Sequence, residues 1–139
     1  MPNDAQLAVV VEALNRVTVK VIQQVTLDAV ANLTEPPPTG TPIDTGWARN
    51  NWVPSIGTPL ESPVGSPDNP AAAAAARDAG IAEVLTRYTL SDGVIFISNN
   101  VPYIGRLNDG SSTQSPAGFI QAAILRAVSG LQGFNLTVT

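Results

Sequence analysis

The chain has 139 residues, 44% of them hydrophobic, with twelve prolines, eleven glycines and a formal net charge of −4; this suits one domain with a modest core and long irregular stretches. Cysteine and histidine are both absent, which excludes disulfide frameworks, the usual zinc ligand sets, thiol nucleophiles and histidine-dependent acid–base catalysis. An acidic balance opposes binding to phosphate backbones, and no apolar run approaches the roughly 20 residues of a membrane span, so the expectation is a soluble protein made in the cytoplasm.

Asp4 to Leu33 reads as one long helix. Asn3 or Asp4 offers the short side-chain oxygen that accepts orphan N–H groups of a first turn. Leu7, Val11, Leu14, Thr18, Val21 and Val25 alternate spacings of four and three, the pattern of one helical face, and Val10, Val17, Ile22 and Val30 widen it. Glu12, Arg16 and Lys20 form an i, i+4 row opposite. At about 1.5 Å per residue the helix spans roughly 40 Å, more than a domain of this size needs internally. A face so broad and valine-rich suggests contacts beyond its own chain; the alternative is a helix on a sheet with its excess length frayed. A strand over Val17 to Val25 is the weaker reading, because the helical spacing persists for several turns.

The prolines of Thr34 to Gly40 end this helix. Asp44-Thr45-Gly46 predicts a turn, followed by a strand over Trp47 to Ile56. Residues 57–69, rich in proline, serine and glycine, read as a mobile surface connector within a single domain. Asn69-Pro70 opens a second helix through the six alanines Ala71 to Ala76 to about Leu85, weakened at Gly80 by about 1 kcal/mol relative to alanine. Tyr88 to Asn99 predicts a hairpin turning at Ser91-Asp92-Gly93, with Val94 to Ile97 as a central strand. A last helix is expected over Pro116 to Ser129, capped by Ser115, burying Phe119, Ile120, Ala123, Ile124 and Val128 and ended by Gly130 and Gly133. Phe134 to Thr139 suits an edge strand. The predicted class is α+β, with a long N-terminal helix and further helices packed on a small, mainly antiparallel sheet.

Catalytic constellations are sparse. Asp44-Thr45-Gly46 matches the triplet of retroviral-type aspartic proteases, and Ile104-Gly105-Arg106 resembles their hydrophobic-Gly-Arg segment. Those enzymes pair two aspartates across a homodimer so that one proton is shared. Against this reading, bulky Trp47 follows the triplet, a proline-rich stretch precedes it, and an alanine-rich helix stands where a flap is needed. Ser111, Ser112 and Thr113 have no histidine to activate them, and Asp109 stands without a second acid. Neither phosphate-loop nor dinucleotide spacing occurs, and Asp109 with Ser111 falls short of a calcium loop. No catalytic, cofactor-binding or metal-ligating residue is expected, and an enzyme is the lesser hypothesis.

A larger pattern runs along the chain. Pro42-Ile43-Asp44-Thr45-Gly46-Trp47-Ala48-Arg49 is followed by Ser98-Asn99, Pro102-Tyr103 and Leu107-Asn108-Asp109-Gly110-Ser111-Ser112-Thr113-Gln114, then Pro116-Ala117-Gly118 before an apolar helix. In order and intervening elements, this resembles the neck and tail-completion (tail terminator-like) proteins of long-tailed bacteriophages. Asn108 stands where that family usually carries an acid, and Ser115-Pro116 replaces its Ala-Pro. The resemblance implies a non-enzymatic virion protein of the head–tail junction, made in the host cytoplasm. It implies a homo-oligomeric ring, commonly a hexamer, that completes the tail tube or joins it to the head connector. Its implied partners are its own copies, the tail-tube protein and the connector or stopper proteins, with DNA crossing the lumen without specific binding.

A ring needs two different complementary patches on each subunit. The long apolar helix is a candidate for one. Trp47, Arg49, Tyr103, Arg106, Leu107, Asp109 and Gln114 are candidates for the other, because aromatic and arginine side chains dominate interface energetics; Trp52 suits the core instead. Asn99 to Ser115 reads as a docking loop that orders on assembly.

Overall fold

The computed structural model describes residues 3–133, so the edge strand expected over Phe134 to Thr139 lies outside the described residues. It has an α+β fold. In chain order come α1 (Asp4–Thr34), α2 (Trp47–Asn50), β1 (Val53–Ile56), α3 (Pro70–Arg87), β2 (Ile95–Ser98), α4 (Ile104–Asn108) and α5 (Phe119–Ser129), with short 3-10 turns at Leu90–Asp92 and Gly130–Gly133. β1 and β2 form a two-stranded antiparallel sheet in which Val53 faces Ser98 and Ile56 faces Ile95.

Asn3 caps α1. Its Oδ1 accepts from Gln6 N (2.9 Å) while Gln6 Oε1 accepts from Asn3 N (2.9 Å), a reciprocal pair that satisfies two orphan donors. The other end of α1 is held in the body. Thr26, Ala29, Val30 and Leu33 are buried, and Asn32 Nδ2 donates to Ala123 O of α5 at 3.0 Å. Leu33, Trp52 and Ala123 make a core cluster, with Ile97, Ile104 and Ile120 packed around it. Trp52 also uses its polar edge. Its Nε1 donates to Thr41 Oγ1 (2.8 Å), which donates in turn to Leu33 O (2.7 Å), so a fully buried threonine links the indole to the end of α1.

Several local expectations are corrected. The strand expected over Trp47 to Ile56 is only Val53–Ile56, because its first third coils into α2. Gly46, at φ 90°, takes the left-handed conformation that turns the chain, and Asn50 N then reaches back to Gly46 O (3.0 Å). The hairpin around Ser91-Asp92-Gly93 does not form. Thr89 N and Oγ1 both donate to Asp92 Oδ2 (2.8 and 3.1 Å), and Tyr88 Oη donates to Gly93 O (2.6 Å), which ties this segment into a capped turn. β2 therefore pairs with distant β1, and it has that one neighbour among the described residues rather than a central place.

At the last helix, Gly118 (φ 80°) starts α5 at Phe119 rather than Pro116, and Ser115 does not cap it. Ser115 turns inward and donates to Gly40 O (2.6 Å). The buried face of α5 is Phe119, Ala123 and Ala127, a stripe whose small members let α5 lie close along α1. Ile124 and Val128, expected inside, are 38% and 48% exposed. Gly80, expected only to weaken α3, has a packing reason: a Cβ there would collide with Pro54 O of β1. Only glycine lets helix and strand approach so closely.

Candidate interaction site

The Asp44 turn and the polar stretch after β2 meet in a small pocket of about 90 Å³, bordered by Pro42, Asp44, Trp47, Tyr103, Leu107 and Gln114. The Trp47 and Tyr103 rings meet edge to face at 6.1 Å and 61°, an arrangement their quadrupoles favour. Burial, and then the charge of Asp44, push the Tyr103 phenol above its ordinary value of 10.0. Gln114 clamps the main chain of Ile43: its Oε1 accepts from Ile43 N (2.7 Å) and its Nε2 donates to Ile43 O (2.9 Å). Four of the seven predicted interface residues, Trp47, Tyr103, Leu107 and Gln114, are thus brought together.

The other three lie elsewhere. Arg49 points to the opposite side of α2, where its Nε donates to Thr34 O (2.7 Å). That places a cation on an orphan carbonyl at the end of α1, a helix with no basic residue in its own last turn. Arg106 and Asp109 are exposed at α4 and its C-cap. Trp47 is only 9% exposed and spends its indole N–H on Val64 O (2.8 Å), so most of its ring serves its own chain. Asp44 is exposed, and it is the one acid in the pocket lining among the described residues. Thr45 Oγ1 accepts from Trp47 N (3.2 Å), so the Asp-Thr-Gly triplet leads into a helix rather than out of an apolar strand.

Neither polar loop is an open connector. Buried Asn51 pairs with both main-chain groups of Val64: Oδ1 accepts from Val64 N (2.8 Å) and Nδ2 donates to Val64 O (3.0 Å). Asn100 Nδ2 donates to Leu60 O (2.9 Å), and Asn99 Nδ2 donates to Ala48 O (2.9 Å). These bonds stitch the stretch expected to be a mobile connector onto α2 and the end of β2. The expected docking loop over Asn99 to Ser115 likewise contains α4 and is pinned by Gln114 and Ser115. Asn108 accepts from Ile120 N in the first turn of α5 (3.0 Å) and donates to Gln121 Oε1 (2.9 Å). It does the work a carboxylate would do at a helix N-terminus. Asparagines 51, 99, 100 and 108 were not among the expected site residues; the doublets Asn50-Asn51 and Asn99-Asn100 were the available signal.

The large apolar side chains left in solvent lie mainly on α1 and α5, with Leu85, Leu90 and Val94 a further set between the end of α3 and β2. On α1, every residue from Asp4 to Leu14 except Ala13 is exposed, including Leu7 (47%), Val11 (53%) and Leu14 (42%). On α5, Ile124, Leu125 and Val128 stand out of the surface. Ile124 and Val128 also form one wall of an apolar groove between α1, β2 and α5. No family model, curated protein or solved structure matches this chain.

Proposed function

We propose that this protein is a non-enzymatic structural component of a phage head–tail junction, a homo-oligomeric ring that completes the tail tube or joins it to the head connector. The observation that carries the reading is the amino-terminal arm of α1, on which Leu7, Val10, Val11 and Leu14 are all exposed to water. Contiguous apolar surface of this kind marks an interaction site. The ordered series of segments from Pro42 to Gly118 supplies the junction assignment. A second apolar face on α5 gives the subunit the two different patches a closed ring requires. At −4 per chain, six copies would carry about −24, a poor clamp for DNA and a suitable sleeve for its passage.

The test is light scattering on purified protein across concentration, alone and with the tail-tube protein added. A mass near six times the 14.4 kDa chain, in solution or only on tube ends, is the expected result. A chain that stays monomeric and ignores the tube would overturn the proposal, as would a strict dimer that cleaves peptides.

A further inference from the structure

We infer that the ring closes by arm exchange: the amino-terminal arm of each copy lies in the groove between α1, β2 and α5 of the next. This rests on the ring reading above and names its contact surfaces. The groove measures about 420 Å³ and is walled by Val21, Val25, Ile95, Ile97, Ile124 and Val128. No ionisable side chain lines it among the described residues. The buried Thr26 hydroxyl in its lining is already committed to Ile22 O (2.8 Å). Such a groove offers an incoming polar group no charge and little to bond, so it favours an occupant that brings apolar side chains and satisfied backbone.

A helix meets both conditions, since its main-chain groups are paired internally. The arm is a helix, with Leu7, Val11 and Leu14 on one face at i, i+4 and i+7. Its eleven residues, Asp4 to Leu14, span about 16 Å, against about 14 Å for the stretch Val21 to Ala29 that flanks the groove.

The arm cannot fill its own groove. α5 runs antiparallel along the lower part of α1, with Asn32 bonded to Ala123 and Gly130 beside Asp28. Val11 therefore sits about 25 Å up the same continuous helix from the α1 residues opposite Ile124. Only another copy can supply the arm.

Area also separates a closed assembly from an open pair. Half the surface of a helix of about 10 Å diameter and 16 Å length is roughly 250 Å². A single arm in a single groove falls far below the roughly 800 Å² per partner of a stable pair. In a closed ring each subunit gives one arm and receives one, and every contact is supported by closure. Assembly is then all-or-none in concentration, without a populated pair joined by a single arm.

The chain contains no cysteine, so engineered pairs report contacts cleanly. Full-length Val11→Cys chains are mixed with full-length Ile124→Cys chains and oxidised, with Leu14→Cys and Val128→Cys as a parallel pair. All four positions are exposed, so the substitutions leave the monomer core alone. The expected result is a covalent dimer in either mixture that neither single variant forms by itself. A Val11→Cys/Ile124→Cys double variant should give a ladder ending at the ring size. Ile124→Glu should raise the concentration for half-assembly by about tenfold or more.

Equal cross-linking of Val11→Cys chains alone would mean arm-to-arm pairing and would overturn the inference. An Ile124→Cys/Val138→Cys bond within one chain would place the chain's own residues 134–139 in the groove and would overturn it as well. A ring by light scattering with neither mixed pair cross-linked would sink arm exchange and leave the ring reading standing. A protein monomeric at every concentration would remove both.

Discussion

The two ends of α1 are built from the same residue types and meet opposite fates. From Thr26 to Leu33 the helix buries its apolar face against α5 and the sheet, and Leu33 has no exposed surface at all. From Asp4 to Leu14 the same periodicity continues, yet Leu7, Val11 and Leu14 stand about half in water. One end is held by tertiary packing. The other persists as helix by propagating from it, which avoids a second nucleation, and by the Asn3–Gln6 cap. Apolar periodicity thus identifies a face but does not say whose atoms cover it.

The sharpest way to break this comparison is to truncate a leucine at each end. Leu33→Ala should cost about 2–5 kcal/mol, the range for a buried leucine whose cavity cannot fully collapse. Leu14→Ala should stay within about 0.5 kcal/mol, as for a surface position, while weakening self-association. Urea unfolding in dilute protein, below the assembly concentration, measures both. Equal costs at the two positions would mean the arm is packed in its own chain.

A milder contrast concerns the loops. The arm reads as an ordered element and stands largely exposed, whereas the proline- and serine-rich stretch reads as loose and is tied down. Asn51→Ala should cost about 1–3 kcal/mol, because it leaves Val64 N without its acceptor and Val64 O with only the Trp47 indole, in a partly buried setting. Amide exchange and proteolysis should rise around Val64 while the α1–α5 contacts stay protected. A loss of stability with no local loosening would assign Asn51 a role in the core instead.

The long helix was legible because its spacing persists over many turns, and so was α3 with its alanine run. What escaped the sequence was non-local. Val94 to Ile97 reads as a strand wherever it pairs, and nothing near it names β1 as its partner. Trp47 to Ile56 reads as a strand because Trp and Val favour strands. Gly46 and the burial of Trp47 override that preference by coiling the first four residues into α2. The asparagine bonds link residues far apart in the chain, such as Asn100 to Leu60, and side-chain-to-backbone bonds at that range leave no periodic trace. At the candidate site, Tyr103, Leu107 and Trp47 do converge, but Arg49, an interface candidate by residue type alone, serves the end of α1 instead.

The finest test of the difference between built and unbuilt surface is a proton. Burial, with Asp44 adding to it, raises the Tyr103 phenol above 10.0 in the folded protein. The folded state then holds this proton more tightly than the unfolded chain does. Its contribution to stability is complete below the unfolded value near 10 and is lost as pH rises through the higher folded value. Wild-type stability should fall on that alkaline side, and Tyr103→Phe should flatten this part of the decline. Asp44→Asn should remove only the lesser part, because burial is the larger cause and does not depend on that charge. Urea midpoints from neutral pH to above 10 for the three proteins would measure it. Identical alkaline slopes in wild type and Tyr103→Phe would mean the phenol is as free as in the unfolded chain. The Trp47–Tyr103 pocket would then behave as solvated surface, like the arm, rather than as part of the folded body.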